Sequence, residues 1–76
     1  MDCDLLLYKF EQIKDELITG GFKMYSCDID QICGLQRWKF RHKDGRRRTL
    51  YLCSHYRAYL ILTEFDKILI HLKADD

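Results

Sequence analysis

The chain has 76 residues, 47% hydrophobic and 13% aromatic, with a formal charge of +1 and no proline. That length makes one domain, residues 1–76, with a small core, and the composition excludes a disordered chain. No run reaches the roughly 18 apolar residues that a membrane-spanning helix needs, and no membrane partner is expected.

Asp2 or Asp4 can cap a first helix. Leu6, Phe10, Ile13 and Leu17 recur at spacings of four, three and four, which lays one apolar stripe along it. Lys9, Lys14, Asp15 and Glu16 take the wet side, and Gly20-Gly21 ends the helix. Phe22–Cys27 reads as a short strand, with Phe22 and Met24 on one side and Lys23 and Tyr25 on the other. Asp28-Ile29-Asp30-Gln31 fits either a capping box opening one helical turn, stopped by Gly34, or an irregular acidic loop.

Gln36–Leu52 reads as a β-hairpin around His42-Lys43-Asp44-Gly45-Arg46. A two-residue Asp-Gly loop would set Lys43 opposite Arg46, like against like, and would put Leu50 and Leu52 on the side of Arg37, Lys39 and Arg41. A three-residue loop, Lys43-Asp44-Gly45 with Gly45 left-handed, pairs His42 with Arg46, Trp38 with Leu50 and Arg37 with Tyr51. The second register separates the faces, because a one-residue slip moves every side chain across the sheet. Trp38, Phe40, Leu50 and Leu52 then face the core, and Arg37, Lys39, Arg41, Arg47, Thr49 and Tyr51 face out. Arg48 falls on the apolar parity opposite Phe40, its stem expected to be buried and its head in water.

Ser54 can cap a final helix. Ala58, Leu62, Phe65, Leu69 and Leu72 follow a four-three-four-three spacing, which predicts one helix from about His55 to Lys73. The rival reading is a strand at Ala58–Leu62 with a helix after Thr63. The surplus of apolar residues here (Tyr56, Tyr59, Leu60, Ile61, Ile68 and Ile70) suits a centrally buried helix or a homodimer surface on it. The predicted fold is α+β: helix–strand–strand–strand–helix, a three-stranded antiparallel sheet with helices packed on one face.

Charge is strongly segregated. Arg37, Lys39, Arg41, Lys43, Arg46, Arg47 and Arg48 stand against Asp44 alone, a local charge of +6. The other six Lys/Arg and eleven Asp/Glu sum to −5. A basic strand pair with an interspersed tyrosine is an electrostatic footprint for RNA or DNA. The same polarity can dock and orient a protein partner. The candidate binding residues are Arg37, Lys39, Arg41, Lys43, Arg46, Arg47 and Tyr51, with Asp28 and Asp30 as an acidic complement.

Other chemistries find little support. The chain carries no Gly-rich phosphate loop, nucleophile motif or paired-carboxylate motif. His42, beside Arg41 and Arg47, could act as a base toward a phosphate, but no full acid–base set assembles, so the chain is read as a non-enzyme. Cys27 and Cys33 have five residues between them, outside the usual spacing of zinc ligands, and Cys53-Ser54-His55 does not complete a site. No metal or cofactor is expected. The four cysteines follow no signal peptide, so reduced thiols and a cytoplasmic location are expected.

The element order resembles the double-stranded-RNA-binding fold, with Arg57 alone at the start of its second helix, and that resemblance implies a direct nucleic-acid-binding module. Gly21-Phe22-Lys23 followed by Phe40–Arg46 is similar to HicA-type mRNA-interferase toxins, whose Gly-Ser-His element is replaced here by Gly34-Leu35-Gln36. Small phage-encoded inhibitors, including some anti-CRISPR proteins, are similar in architecture. That similarity implies an inhibitor of phage or mobile-element type, docked on a host nucleic-acid-handling protein or its complex with nucleic acid. This inhibitor is the leading expectation from sequence.

Overall fold

Asp2 caps the first helix: its carboxylate accepts the Leu5 amide at 2.7 Å. The computed structural model describes residues 2–54 and 57–74. Helix α1 runs Cys3–Thr19, and Leu6, Phe10, Ile13 and Leu17 are its buried residues, the stripe read from the spacing. Gly21, at φ +96°, turns the chain into the sheet.

Five antiparallel strands follow as a simple meander: β1 Phe22–Asp30, β2 Leu35–His42, β3 Arg47–Cys53, β4 Tyr59–Glu64 and β5 Lys67–Lys73. The inner face carries Phe22, Phe40, Leu50, Leu52, Leu60 and Leu62, which join the helix stripe and Ala58 in one core flanked by Trp38, Ile70 and Leu72. Burying each large side chain contributes about 1.5–3 kcal/mol. Trp38 meets Phe10 edge to face at 5.8 Å, and the Lys14 ammonium lies 4.9 Å from the Trp38 ring centre.

The central hairpin has the three-residue loop. The His42 amide donates to the Arg46 carbonyl, the Gly45 amide donates to the His42 carbonyl, and Gly45 sits at φ +97°. Trp38 is opposite Leu50, Phe40 opposite Arg48, and Arg37 opposite Tyr51. Arg48 departs from expectation: its head is not left to water but is paired with Glu64 (Nη2–Oε2 3.1 Å) and lies 5.1 Å from the Phe22 ring centre.

The predicted three-stranded sheet with two helices is overturned. From Arg57 onward the described chain is strand, turn and strand, so neither the continuous helix nor the helix after Thr63 exists. The predicted start at His55 lies outside the described residues. The 3–4 spacing misleads because it threads residues from both faces and a turn: Ala58 and Leu62 are buried, while Phe65, in the β4–β5 turn, is 68% exposed. Tyr56 lies outside the described residues, and the surplus apolar residues from Tyr59 onward serve period 2 instead. Leu60 and Leu62 point in, and Tyr59, Ile61 and Thr63 point out, as β-branched and aromatic residues favour. A homodimer through a C-terminal helix therefore has no helix to use.

The acidic loop is also corrected. The first strand does not stop at Cys27 but continues through Asp30, and Gln31–Gly34 forms the turn into β2. Asp30 Oδ1 accepts the amides of Ile32 and Cys33 at 3.0 and 3.4 Å, and the Gly34 amide donates to the Asp30 carbonyl at 2.8 Å.

Candidate functional site: an open cationic sheet face

The helix packs on one side of the sheet, against β1 and β4. Among the described residues, no helix or second sheet layer covers the other side. Strand pairing fixes which residues share that bare face, because directly opposed residues point the same way. Lys23, Arg41 and Arg47 form one row across three strands. Ser26, Lys39, Thr49 and Thr63 form the next, and Asp28, Arg37, Tyr51, Ile61 and His71 a third. Leu35, Cys53, Tyr59 and Lys73 close the far end.

A bulge at Tyr25 makes the face what it is. Met24 opposes Phe40 and Ser26 opposes Lys39, so Tyr25 is the extra residue on its strand. The bulge reverses the parity of the strand beyond it. Lys23 before it, and Asp28 and Asp30 after it, consequently share one face. Tyr25 turns to the same side, where the Arg41 guanidinium lies 5.3 Å from its ring centre.

The predicted site residues separate into groups. Arg37, Lys39, Arg41, Arg47 and Tyr51 stand together on the open face. Asp28 is opposite Arg37, and Asp30 ends the same strand, where its turn hydrogen bonds with Cys33 and Ile32 lower its pKa, with a smaller contribution from Arg37. Lys43 is at the hairpin tip. Arg46 leaves the face: its Nε donates to Asp44 Oδ2 at 2.8 Å, and its guanidinium lies 5.3 Å from the inward Phe22 ring. Asp44 is held below the ordinary carboxylate pKa by the hydrogen bonds from the Arg46 amide and side chain and by the charge of Arg46.

Lys23, Tyr25 and Tyr59 are site residues that the sequence reading did not name. The alternation of Phe22–Tyr25 put Lys23 and Tyr25 on one side, but only the register with β2 shows that Arg41 shares that side. Tyr59 is half-buried beside Cys53, and burial raises its pKa. His42 turns toward the core: its ring meets Phe22 edge to face at 5.2 Å, and its Nδ1 accepts the Asp44 amide at 3.1 Å.

The charges of the fold are layered. The helix and its cap carry Asp2, Asp4, Glu11, Asp15 and Glu16 against Lys9 and Lys14. They lie behind the sheet, whereas Lys23, Arg37, Lys39, Arg41, Arg47 and Lys73 are in front. Lys23, Lys39, Arg41 and Arg47 have no ion pair among the described residues.

Among the described residues, no group of three or more His, Cys, Asp or Glu side chains could hold a metal ion. His55, weighed as a ligand beside Cys53, lies outside them. No described helix is long and apolar enough to cross a membrane. No protein-family model, curated protein or solved structure matches the chain. The helix–strand–strand–strand–helix order behind the resemblances to double-stranded-RNA-binding domains, HicA-type toxins and small phage-encoded inhibitors is not the order of this fold.

Proposed function

We propose that this chain is a non-catalytic binding protein that holds single-stranded nucleic acid on its open sheet face. One observation carries the reading: Lys23, Arg37, Lys39, Arg41 and Arg47 share a bare surface with Tyr25 and Tyr51, while the helix acids lie on the opposite side. A strand lying on the sheet meets these cations, with Asp28 and Asp30 at the β1 edge of the same face, while the helix carboxylates are a sheet's thickness away.

The preference for single strands is geometric. Five strands span about 19 Å at the usual spacing of about 4.8 Å. A duplex major groove is about 12 Å wide and admits a helix or a two-stranded ribbon. An open face with Tyr25 exposed and Tyr51 half-buried instead suits unpaired bases, whose π-faces stack on aromatic side chains while arginines and lysines neutralise phosphates. A salt series of oligonucleotide binding tests this reading.

A second reading keeps the same face but gives it a protein partner. An inhibitor of phage or mobile-element type would dock on a nucleic-acid-handling protein through it. The observation favouring this is Asp28, opposite Arg37 on the open face, with Asp30 near it. Acids among the cations suit a partner surface of mixed sign. Recovery of a nucleic-acid-handling protein from host lysate, together with no binding to free RNA or DNA, would favour this reading.

A further inference from the structure

The corner of the open face holds a recess of about 290 Å³ lined by Gly21, Lys23, Tyr25, Arg41, His42 and Lys43. It lies where β1 begins and β2 ends, so a strand tracking across the face stops there. We propose that this recess binds a terminal phosphomonoester of the nucleic acid. The inference rests on the single-strand reading above and adds which chemical group the corner recognises.

Three arguments converge on a doubly charged phosphate. First, Lys23 and Arg41 are directly opposed across β1 and β2, and Arg41 and Arg47 across β2 and β3. Like charges in that relation repel and destabilise the sheet, and these have no carboxylate partner among the described residues. An anion in the recess relieves that repulsion. Second, a terminal phosphate carries about −1.5 to −2 charges at pH 7, against about −1 for an internal phosphodiester. A cluster formed by Lys23, Arg41 and Lys43 therefore favours the end of a strand over its middle. Third, the Arg41 guanidinium already lies 5.3 Å from the Tyr25 ring centre, so part of its ordering cost is met before the ligand arrives.

The surroundings are compatible with an anion. At the nearby helix end the carbonyls of Glu16 and Ile18 accept the amides of Gly20 and Gly21, which leaves fewer carbonyls free to repel an anion. The volume lies at the small end of ligand pockets, enough for a phosphate with part of its nucleoside rather than a large cofactor.

The test compares one single-stranded oligonucleotide in three forms, with a 5′-phosphate, with a 3′-phosphate and with hydroxyls at both ends. Binding is measured at fixed salt by fluorescence anisotropy. One phosphorylated form binds about tenfold tighter than the hydroxyl form, the scale of an added charge-assisted contact, and which form it is identifies the terminus. Lys43→Gln, at the exposed hairpin tip, brings that ratio toward one, whereas Arg37→Gln weakens all three forms and preserves it. Circular dichroism checks that both variants fold. Equal affinity for all three forms overturns the terminal-phosphate site and leaves the single-strand reading standing. A ratio unmoved by Lys43→Gln also overturns this site. Failure of all three forms to bind overturns both.

Discussion

The Arg41 guanidinium lies 5.3 Å from the centre of the Tyr25 ring, joining the basic hairpin to a strand that the hairpin's own sequence does not include. Tyr25 occupies a bulge on an edge strand and is 48% exposed. Its ring has little to do for the core and is available to a base. Tyr25→Ala should weaken single-strand binding by about 1–3 kcal/mol, the usual value of one stacked base. The melting temperature should hardly move, as is usual for surface substitutions. Anisotropy titration and a thermal melt of the same variant check both halves.

Arg47 gives the opposite pairing of effects. It stands opposite Arg41, which stands opposite Lys23, in a row of three cations. Arg47→Gln should raise the melting temperature of the free protein by about 1–5 °C, because one cross-strand repulsion is removed. The same change should weaken binding. Calorimetry at low salt and a binding titration test the trade, and a variant that melts lower with unchanged binding would contradict the assignment.

Behind the sheet, Arg48 and Glu64 face each other at 3.1 Å, both partly buried, and Arg48 Nε is buried with no hydrogen-bond partner. Glu64→Ala leaves that guanidinium without its carboxylate and should cost about 1–2 kcal/mol. Arg48→Met removes the charge and keeps an unbranched apolar stem at the position, so it should cost less. Urea denaturation of the two variants and the double variant measures the coupling.

Much of this geometry was legible because the local signals agreed. The stripe of Leu6, Phe10, Ile13 and Leu17 fits only a helix, and the hairpin register followed from keeping Trp38 away from Arg37. Residues 57–73 were illegible for a physical reason. Ala58, Leu62, Phe65, Leu69 and Leu72 satisfy a helical spacing, while Leu60 and Leu62 satisfy a strand spacing. With no glycine or proline between Glu64 and Lys67, Asp66 is the one turn-favouring residue that marks the turn. Phe65 occupies that turn at φ +54°, a conformation that a residue other than glycine rarely takes. The abundance of Ile61, Thr63, Ile68 and Ile70 was the contrary signal. The bulge at Tyr25 was hidden for a different reason. A bulge is set by the pairing of two strands, and straight alternation assigns Asp28 and Asp30 to the wrong face.

Acid should destabilise the fold through its turns. Asp30 and Asp44 both have lowered pKa values, chiefly because their carboxylates accept hydrogen bonds within the Gln31–Gly34 turn and the hairpin tip. At acidic pH the unfolded chain therefore binds more protons at these two groups than the folded chain does. Their contribution to stability is complete above the ordinary carboxylate value of about 4 and is lost as pH falls through the lowered values. Urea midpoints measured from pH 6 downward should fall below about pH 4 in the natural chain. They should fall less steeply in Asp30→Asn with Asp44→Asn.

The salt dependence of single-strand binding tests the central claim most directly. Lys23, Arg37, Lys39, Arg41 and Arg47 can each neutralise one phosphate, so log K against log salt should fall with a slope of up to about −3.5, at about −0.7 per contact. Changing Arg37 and Arg41 to Glu should abolish the binding, while a matched duplex should bind more weakly than the single strand. Absence of binding at low salt, or affinity indifferent to both salt and those two reversals, would contradict the account.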